Sequence, residues 1–500
     1  MKRYLKNFMS GLLCGSCILM TGCNATVVTT PAKQKDPVLP SHYDMRDEGK
    51  VTSVKYQGKP GTCWAYAAIS AAESNLIVNG YADSDVDLSE NHMVYYSVFY
   101  NEDLPLKECP VDGIYVTGKK EDRYLVPYNG GSSGMGICMM SVGMGPVSEE
   151  LAPIIPNKES ENARFMYEAE QSGKVSRYMG DYLVTEWNTF SGEADINDIK
   201  SEILEKGAVT CSTAFVFHKT YKAENGDVAI FSAKPSGEKH VVSLIGWDDE
   251  YSRDNFVPET PKNNGAWIVK DSTKLSDNGF FYLSYEYPVL SFNSFELSPK
   301  SEYGSIITYD TMGPSASMQP DPDSDGNRED YDGCGLISTD SATSVANVFR
   351  PNESNKVKAA GLFTIVPNQK VRIRVFINPE ENKPDSGEMV DEFETVIKYS
   401  GYQVVDLNKE IPVEKGDCFS IVVDYCGDKA AARIAPVEIP ADRNDYKTGN
   451  GIYLHYGSNP GESFGQKDGE WYDLSKDEAA AAFGKETVVN NAPIRALMEK

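Results

Sequence analysis

The sequence predicts an α+β protein with two folded regions. Helical signals occupy the opening half of a first region that begins near Leu39, and short strand-like apolar runs occupy its second half, from about Ala208. The segment 310–333 is rich in Pro, Gly, Ser and Asp, which is typical of a linker or long loop. From about Ser341 short strand-like runs with turn signals return, and this regular pattern favours an all-β sandwich.

Length and composition limit the classes of function. The chain has 500 residues, enough for two or three domains at roughly 100 to 200 residues each. Hydrophobic residues make up 40% and charged residues 24%, as in a packed globular protein rather than a disordered one. The formal net charge of -26 argues against a nucleic-acid partner, because nucleic-acid binding requires a basic face.

The N-terminus has the features of a targeting segment. Basic residues precede a short apolar run at 11–20, and Cys23 follows shortly after a Gly. This arrangement resembles a bacterial lipoprotein signal, which implies cleavage of residues 1–22 and a lipid on Cys23. An ordinary signal peptide with an incidental Cys and an uncleaved anchor are the alternatives. The segment 23–38 has no periodicity, and we interpret it as a tether.

Cysteine usage gives no sign of a metal site. Of ten cysteines, seven remain if Cys14 and Cys17 leave with the signal and Cys23 carries a lipid. An odd number indicates at least one free thiol in an exported protein. None of the seven forms a CxxC pair, so we expect no metal and no other cofactor.

The segment 57–66 places a cysteine where a thiolate is stabilised. A loop with Gly and Pro runs into an Ala-rich stretch whose apolar residues have helical spacing, and Thr62 can cap this helix. Cys63 is therefore predicted in the first helical turn, where unpaired amides and the helix dipole favour the thiolate, the form that attacks carbonyl carbons. The alternative is a buried, inert Cys, for which the start of a helix after a glycine loop is an unusual place.

The same segment resembles the Gln-Gly…Cys-Trp-Ala-Phe motif of the papain family, with the same six-residue step from Gln57 to Cys63. The resemblance implies that the Gln57 side chain and the Cys63 backbone amide form an oxyanion hole. Pro60 stands where the family has a Cys, so the family's neighbouring disulfide is absent. Gly130 and Gly131 resemble the Gly-Gly pair that lets substrate backbone approach in the family's cleft, although an ordinary turn can have the same sequence.

A cysteine nucleophile needs a base that takes its proton and later gives it to the leaving amine. Of the five His, His240 opens an apolar strand at 241–247 that ends in Gly and Trp and resembles the strand of the family's catalytic His. The resemblance therefore implies that His240 is this base. The alternative is a core His that is satisfied by backbone groups.

The group that orients the imidazole departs from the family pattern. After the strand 266–270, Asp271 occupies the position of the family's Asn and Thr273 that of its Trp, and Asn278 with Gly279 fixes the register. A carboxylate can accept the imidazole N–H as an amide oxygen does, although its charge raises the His pKa. The loss of the Trp removes what in the family shields this hydrogen bond from water. Alternatively, Asp271 is only a turn or capping residue.

The region 341–490 resembles the lectin-like domain that follows some bacterial and archaeal papain-type peptidases, through its strand pattern and short stretches such as 401–403 and 461–464. No convergent aromatic and carboxylate residues in it indicate a sugar site. Within the preceding segment, 321–332 matches the start of a calcium loop, but no flanking helix is apparent, and an acidic linker is the preferred interpretation.

The predicted organisation combines these assignments. A papain-like, two-lobe peptidase domain at 39–300, with one helical and one β-barrel-like lobe, is followed by a linker or long loop at 301–340 and a lectin-like β-sandwich domain at 341–490.

The resemblance implies a cysteine endopeptidase that cleaves protein or peptide substrates through a thioacyl group on Cys63, with His240 as base and acid. The lipoprotein signal implies a lipid anchor on the outer face of a bacterial cell membrane, and the second region is a candidate for binding a surface glycan or protein. The departures at Asp271 and Thr273 keep a non-catalytic binding protein open as the alternative. A third possibility is a transpeptidase or amidase that acts on cell-wall peptides.

Overall fold

The structure is a computed structural model, and it describes residues 39–100, 113–116, 123–215, 222–234, 237–310, 335–337, 344–426, 435–437, 446–448, 452–455, 458–483 and 491–500. The predicted signal peptide at 1–22, the tether at 23–38 with Cys23, and the acidic run 321–332 lie outside the described residues. In the part of the chain that is described, no helix combines the length and the apolar character that a membrane span requires.

Helices dominate the opening of the first region, as predicted. The helices are α1 (Cys63–Val78), α2 (Glu90–Tyr96), α3 (Ser133–Ser141), α4 (Glu159–Gln171), α5 (Ile196–Lys206) and, in the second region, α6 (Asp477–Ala482). Short 3₁₀ turns lie at Arg123–Asn129, Arg253–Asn255 and Lys300–Glu302.

The strands up to residue 310 are β1 (His42–Asp44), β2 (Phe99–Tyr100), β3 (Gly113–Val116), β4 (Tyr182–Ser191), β5 (Val209–Phe215), β6 (Ala229–Ile230), β7 (Glu238–Asp248), β8 (Ala266–Lys270), β9 (Phe280–Ser284), β10 (Ser291–Pro299) and β11 (Ile306–Ile307). The later strands are β12 (Gly335–Ile337), β13 (Ser344–Phe349), β14 (Asn355–Thr364), β15 (Gln369–Ile377), β16 (Glu388–Ile397), β17 (Ser400–Val413), β18 (Phe419–Cys426), β19 (Ala435–Val437), β20 (Tyr446–Thr448), β21 (Ile452–His455), β22 (Ser463–Lys467), β23 (Glu470–Asp473) and β24 (Ile494–Met498).

Helix α1 forms the centre of the first core. Residues 64–76 are all buried, which is what a helix with small and apolar residues on every side requires. Its alanines let other elements approach closely, and α1 packs against β7, α3 and β10. The position of the helix start, and therefore of Cys63, is thus fixed by packing on several sides.

Most strands of the first region form one sheet around β7, which is antiparallel except where β6 pairs with β9, while β2 and β3 belong to a separate sheet. Strand β7 pairs with β5 on one side and with β8 on the other, and His240 lies opposite Thr213 in that register. Strand β8 in turn pairs with β9. The adjacent strands β7 and β8 therefore carry His240 and lead directly into Asp271. Strand β4, which comes before α5, was missed in the sequence, where strands were predicted only from about residue 208.

The second region is a sandwich of two sheets, as predicted. One sheet has the order β16-β15-β18-β13-β22-β23, and the other contains β11, β24, β14 and β17. Apolar side chains from both sheets share one core, for example Val345 and Phe419 from the first and Leu362, Ile411 and Ile494 from the second. Packing of two apolar faces against each other is the arrangement expected of a β-sandwich.

The two regions share a sheet, which the sequence did not reveal. Strand β17 pairs with β4 through residues 400–403, so the sheet of the first region continues into the second. Part of the predicted linker at 301–340 is strand β11, which pairs with β24, and β24 itself lies beyond the predicted end of the second domain at residue 490. The domain boundaries 39–300 and 341–490 themselves stay predictions.

Candidate active site

Cys63 is the first residue of α1, as the sequence predicts. Thr62 occupies the N-cap position, and its carbonyl accepts the amide protons of Ala65 and Tyr66 at 2.9 and 3.3 Å. Thr62 is thus the N-cap, as predicted, although its hydroxyl makes no capping hydrogen bond. The thiol sulfur accepts hydrogen bonds from the backbone of Trp64 and Val241. Backbone amides of the helix start and of β7 therefore stabilise a thiolate at Cys63.

His240 brings the base to this thiol. Its side chain is buried and forms a hydrogen bond with that of Cys63. The Nε2 atom of His240 lies 2.8 Å from Oδ1 of Asp271, and the ring of Phe215 packs edge-on against the imidazole with centroids 5.7 Å apart. The imidazole is thus held between the nucleophile and the carboxylate.

Asp271 follows β8 and is itself held by its neighbours. Its Oδ2 atom accepts hydrogen bonds from the amide and the hydroxyl of Thr273 at 2.9 and 2.7 Å, and its own amide donates to the carbonyl of Gly279 at 2.9 Å. Each carboxylate oxygen therefore has a donor. The alternative that Asp271 serves only the turn is incomplete, because one oxygen serves the turn and the other faces the imidazole.

The charges of these three groups support one another. Burial raises the pKa of the Cys63 thiol, but the hydrogen bond and the charge of His240 outweigh it, and the net pKa is lowered. Burial lowers the pKa of His240, and the hydrogen bonds to Asp271 and Cys63 then raise it to about 9. Burial likewise raises the pKa of Asp271, and His240 brings it below its usual range. All three shifts favour a thiolate beside an imidazolium beside a carboxylate.

Gln57 lies beside this triad and is anchored at both ends of its amide. Its Oε1 atom accepts a hydrogen bond from the Ser272 hydroxyl at 2.6 Å, and its Nε2 atom donates to the carbonyl of Pro60 at 2.7 Å. The Gln57 backbone amide also donates to the carbonyl of Ser272 at 3.0 Å. Since Ser272 follows Asp271, one short turn fixes both the carboxylate and the predicted oxyanion donor.

Gly130 and Gly131 are exposed beside the helix that carries the nucleophile. A Cβ added at Gly131 would lie 2.5 Å from Nε1 of Trp64, so no other residue fits without movement of that ring. Gly130 has a φ of 145°, which favours glycine as well. The backbone of this pair therefore borders the site closely, as a cleft strand must.

A buried group of charges behind the triad was not predicted. The ammonium group of Lys55 contacts Glu73, Asp87 and Glu90 at 3.1, 2.6 and 3.1 Å. Burial raises the pKa of Glu90 to about 8 and lowers that of Lys270. Lys55, Glu73, Glu90 and Lys270 line, together with Asp271 and Val241, a cavity between α1, α2 and the strands β7 and β8. The signal in the sequence was a Glu in the middle of the Ala-rich α1, since such a residue must find partners when the helix is buried.

The remaining candidates from the sequence are a metal site and the other cysteines. Among the described residues, no group of three or more His, Cys, Asp or Glu side chains is placed to hold a metal ion. The described cysteines Cys63, Cys138, Cys211, Cys418 and Cys426 are free thiols.

Comparison with known proteins agrees with this architecture. The model of the papain family of cysteine proteases matches residues 39–109, and that of the lectin-like domain matches residues 330–484. A viral cathepsin of Mamestra configurata nucleopolyhedrovirus is 37% identical over 128 residues, which are 25% of this chain and 36% of the relative. Cysteine proteinase 1 of Entamoeba histolytica is 43% identical over 56 residues, 11% of this chain and 18% of the relative. The chain thus spans about a third or less of the length of these relatives.

Two solved structures match nearly the whole chain. One is the clostridial cysteine protease Cwp84 after propeptide cleavage, with a TM-score of 0.65, 22% identity, and coverage of 92% of this chain and 99% of that one. The other contains the cysteine protease and lectin-like domains of Cwp84, a surface layer associated protein of Clostridium difficile, with a TM-score of 0.64, 22% identity, and coverage of 93% and 89%. The chain therefore has the fold of a papain-like cysteine protease domain that is followed by a lectin-like, all-β domain.

Proposed function

We propose that this chain is a papain-type cysteine endopeptidase with Cys63 as its nucleophile. The observation that carries the proposal is the chain of contacts from the Cys63 thiol through the His240 imidazole to the Asp271 carboxylate, at the start of a buried helix. The match of residues 39–109 to the papain-family model supports it independently.

The geometry supports the following reaction. The Cys63 thiolate attacks the scissile carbonyl carbon, and the oxygen that gains the negative charge accepts hydrogen bonds from the Cys63 amide and the Gln57 side chain. The His240 imidazolium gives its proton to the leaving amine as the C–N bond breaks, which leaves a thioacyl group on Cys63. His240 then takes a proton from water, the hydroxide attacks the thioacyl carbon, and the C–S bond breaks to release the acid and restore the thiolate.

The substrate side of the site is consistent with an extended peptide. The exposed backbone of Gly130 and Gly131 can pair with a substrate strand, because these two residues have no side chain of their own to block its approach. The backbone contacts are the same for any peptide, so the side-chain preference depends on other parts of the cleft.

The test is covalent labelling of the purified protein, residues 24–500, with a peptidyl epoxide that targets papain-type enzymes, together with hydrolysis of denatured casein. We expect one adduct on Cys63, identified by mass spectrometry, and loss of both labelling and hydrolysis in Cys63→Ala. Absence of an adduct together with absence of hydrolysis in the parent protein would favour the non-catalytic binding protein. Products joined to an added amine, in place of hydrolysis, would favour a transpeptidase.

We also propose that the protein is held on the outer face of a bacterial cell membrane by a lipid on Cys23, with the lectin-like region as a contact to a surface glycan or protein. The lipoprotein-like N-terminus supports this, and so does the fold shared with Cwp84, whose description is that of a surface layer associated protein. Mass spectrometry of the protein from the membrane fraction tests it. A diacylglycerol mass on Cys23 is expected, and release of an unmodified protein into the medium would rule the anchor out.

A further inference from the structure

Arg495 is a buried cation at the junction of the two regions. It belongs to β24, the last strand, which pairs with β14 of the lectin-like region. Its side chain has no exposed surface, and its guanidinium pairs with Asp310, also fully buried, at 3.1 Å. The planar group also packs over the rings of Phe363 and Tyr402, 5.2 and 4.8 Å from their centroids. This environment fixes the guanidinium in one orientation.

In that orientation the two terminal nitrogens of the guanidinium also contact the peptidase region. The NH1 nitrogen of Arg495 donates to the Ser141 hydroxyl at 2.6 Å, and NH2 lies 3.8 Å from the Cys138 sulfur. Both residues belong to the last turn and a half of α3. A cation at the C-terminal end of a helix is stabilised by the helix dipole, and here water does not screen the interaction because the contact is buried. The lectin-like region thus holds the C-terminal end of α3.

The opposite end of α3 is the predicted substrate cleft. The helix begins at Ser133, and the side chain of Ser132 caps it by accepting the amide proton of Met135 at 3.2 Å. Gly131 comes immediately before this cap and lies against the Trp64 ring. Any movement of α3 along its axis therefore moves the Gly131 backbone relative to the residue that follows Cys63.

Helix α3 is closely packed against its neighbours. A Cβ added at Gly136, near the middle of α3, would lie 2.7 Å from the sulfur of Met93 and 3.3 Å from the Cβ of Ala68. Helix α3 therefore lies directly on α1 and α2, so it shifts as a unit rather than by bending. Its position along its axis is therefore set by these contacts together with those that hold its ends.

We propose that Arg495 is a positioning residue for the peptidase cleft. Because Arg495 holds the C-terminal end of α3, the position of the Gly130–Gly131 backbone, which binds substrate, depends on the lectin-like region. The inference rests on the proposed peptidase function. It assigns the lectin-like region an obligate part in peptide binding, separate from any ligand that this region binds on its own.

The test compares Arg495→Met, Arg495→Lys and Ser141→Ala with the parent protein. A matched control is Lys356→Met, which removes an exposed cation from β14 that pairs with Glu410 and Glu499 at 2.9 and 2.8 Å. The readouts are KM and kcat on a fluorogenic peptide, the melting temperature, and the rate at which iodoacetamide alkylates Cys63. Iodoacetamide reports the thiolate without needing the peptide cleft.

We expect Arg495→Met to raise KM about tenfold or more, in line with the cost of a small misplacement of a binding group, while the alkylation rate stays within about twofold of the parent's. Arg495→Lys keeps the positive charge but not the planar group of N–H donors, and Ser141→Ala removes one hydrogen bond. Each should raise KM by about threefold. Lys356→Met should leave KM and kcat unchanged.

A lower melting temperature with unchanged KM in Arg495→Lys and Ser141→Ala would overturn the inference, because the residue would then contribute to folding only. These two variants decide the matter if Arg495→Met does not fold. A parent protein that alkylates at Cys63 but hydrolyses no peptide would instead overturn the proposed function.

Discussion

Replacing Asp271 by Asn removes the negative charge beside the imidazole with almost no change in volume. Oδ1 of Asp271 faces His240 at 2.8 Å, and Oδ2 accepts from the amide and hydroxyl of Thr273. An Asn that keeps its oxygen on His240 turns its NH₂ group towards Thr273. The Thr273 hydroxyl can rotate to accept a hydrogen bond from this group, but the backbone N–H groups of Thr273 and Leu275, which donate to Oδ2 at 2.9 and 3.4 Å in the parent protein, cannot. The variant therefore loses one charge and two backbone hydrogen bonds.

These two losses act on different quantities. Each unpaired backbone N–H lowers the free energy of unfolding by about 1–3 kcal/mol. The lost charge acts on the pKa of His240, which is about 9 in the parent protein; burial lowers it, and the bond to Asp271 is the largest influence that raises it. Without the carboxylate, this pKa falls towards the ordinary value of 6.5, at about 1.4 kcal/mol for each unit.

The sign of the effect on activity follows from the active protonation state. The thiolate–imidazolium pair exists above the pKa of Cys63 and below that of His240, so a lower His240 pKa moves the alkaline limb of the pH profile to lower pH. An imidazolium with a lower pKa is also a stronger acid towards the leaving amine. We therefore expect Asp271→Asn to keep kcat/KM at its own optimum within about threefold of the parent, or to raise it.

The assay is kcat/KM on a fluorogenic peptide from about pH 4 to about pH 10, with Asp271→Ala as the control that removes the acceptor as well as the charge. The parent's alkaline limb should lie near pH 9, and that of Asp271→Asn should lie below it. An alkaline limb that does not move would refute the electrostatic reasoning. A loss of activity at all pH values to the level of Cys63→Ala would refute the view that an amide oxygen can replace this carboxylate.

Three further changes probe the rest of the site. Gln57→Ala should lower kcat about 10²- to 10³-fold with little change in KM, because its amide is needed only when the oxyanion forms, and an equal effect on KM would contradict this. Thr273→Val removes the hydroxyl donor from Oδ2 of Asp271 and should raise the pKa of that carboxylate. We therefore expect lower activity at acid pH, and an acid limb of the pH profile identical to the parent's would contradict this expectation. Gly131→Ala should raise KM about tenfold or more, because the added methyl group displaces the Trp64 ring or the cleft backbone. Steady-state kinetics measure this change, and an unchanged KM would indicate that substrate binds elsewhere.

Local patterns predicted the elements that carry the site. The spacing of small apolar residues after a glycine loop gave the start of α1 within one residue of Cys63, and the uninterrupted apolar run before Asp271 gave β8 with both of its ends. Such segments are predictable because a buried helix start and a fully buried strand restrict their residues strongly. Cys63 and Asp271 follow from them, because each lies at an end of one of these two elements.

Long-range pairing escaped prediction because it depends on distant residues. Strand β4 contains Thr185, Glu186 and Asn188 among its apolar residues, and they are satisfied by Ser298, Lys206 and Glu202. A strand whose polar residues find partners inside the protein does not alternate as a half-exposed strand does. The buried pair of Arg495 and Asp310 could not be predicted either, because the two residues are 185 positions apart in the sequence.

The two departures from the family pattern, at Asp271 and Thr273, compensate for each other. A buried carboxylate must be stabilised by donors, and Thr273 supplies two of them to the oxygen that does not face His240. A Trp at this position would bring the backbone amide alone. The shield that the Trp provides in the family is not missing either, since the side chains of His240 and Asp271 are 1% and 0% exposed. Thr273 therefore stabilises the ionised form of Asp271, and we expect the pair to orient His240 in place of the family's Asn and Trp.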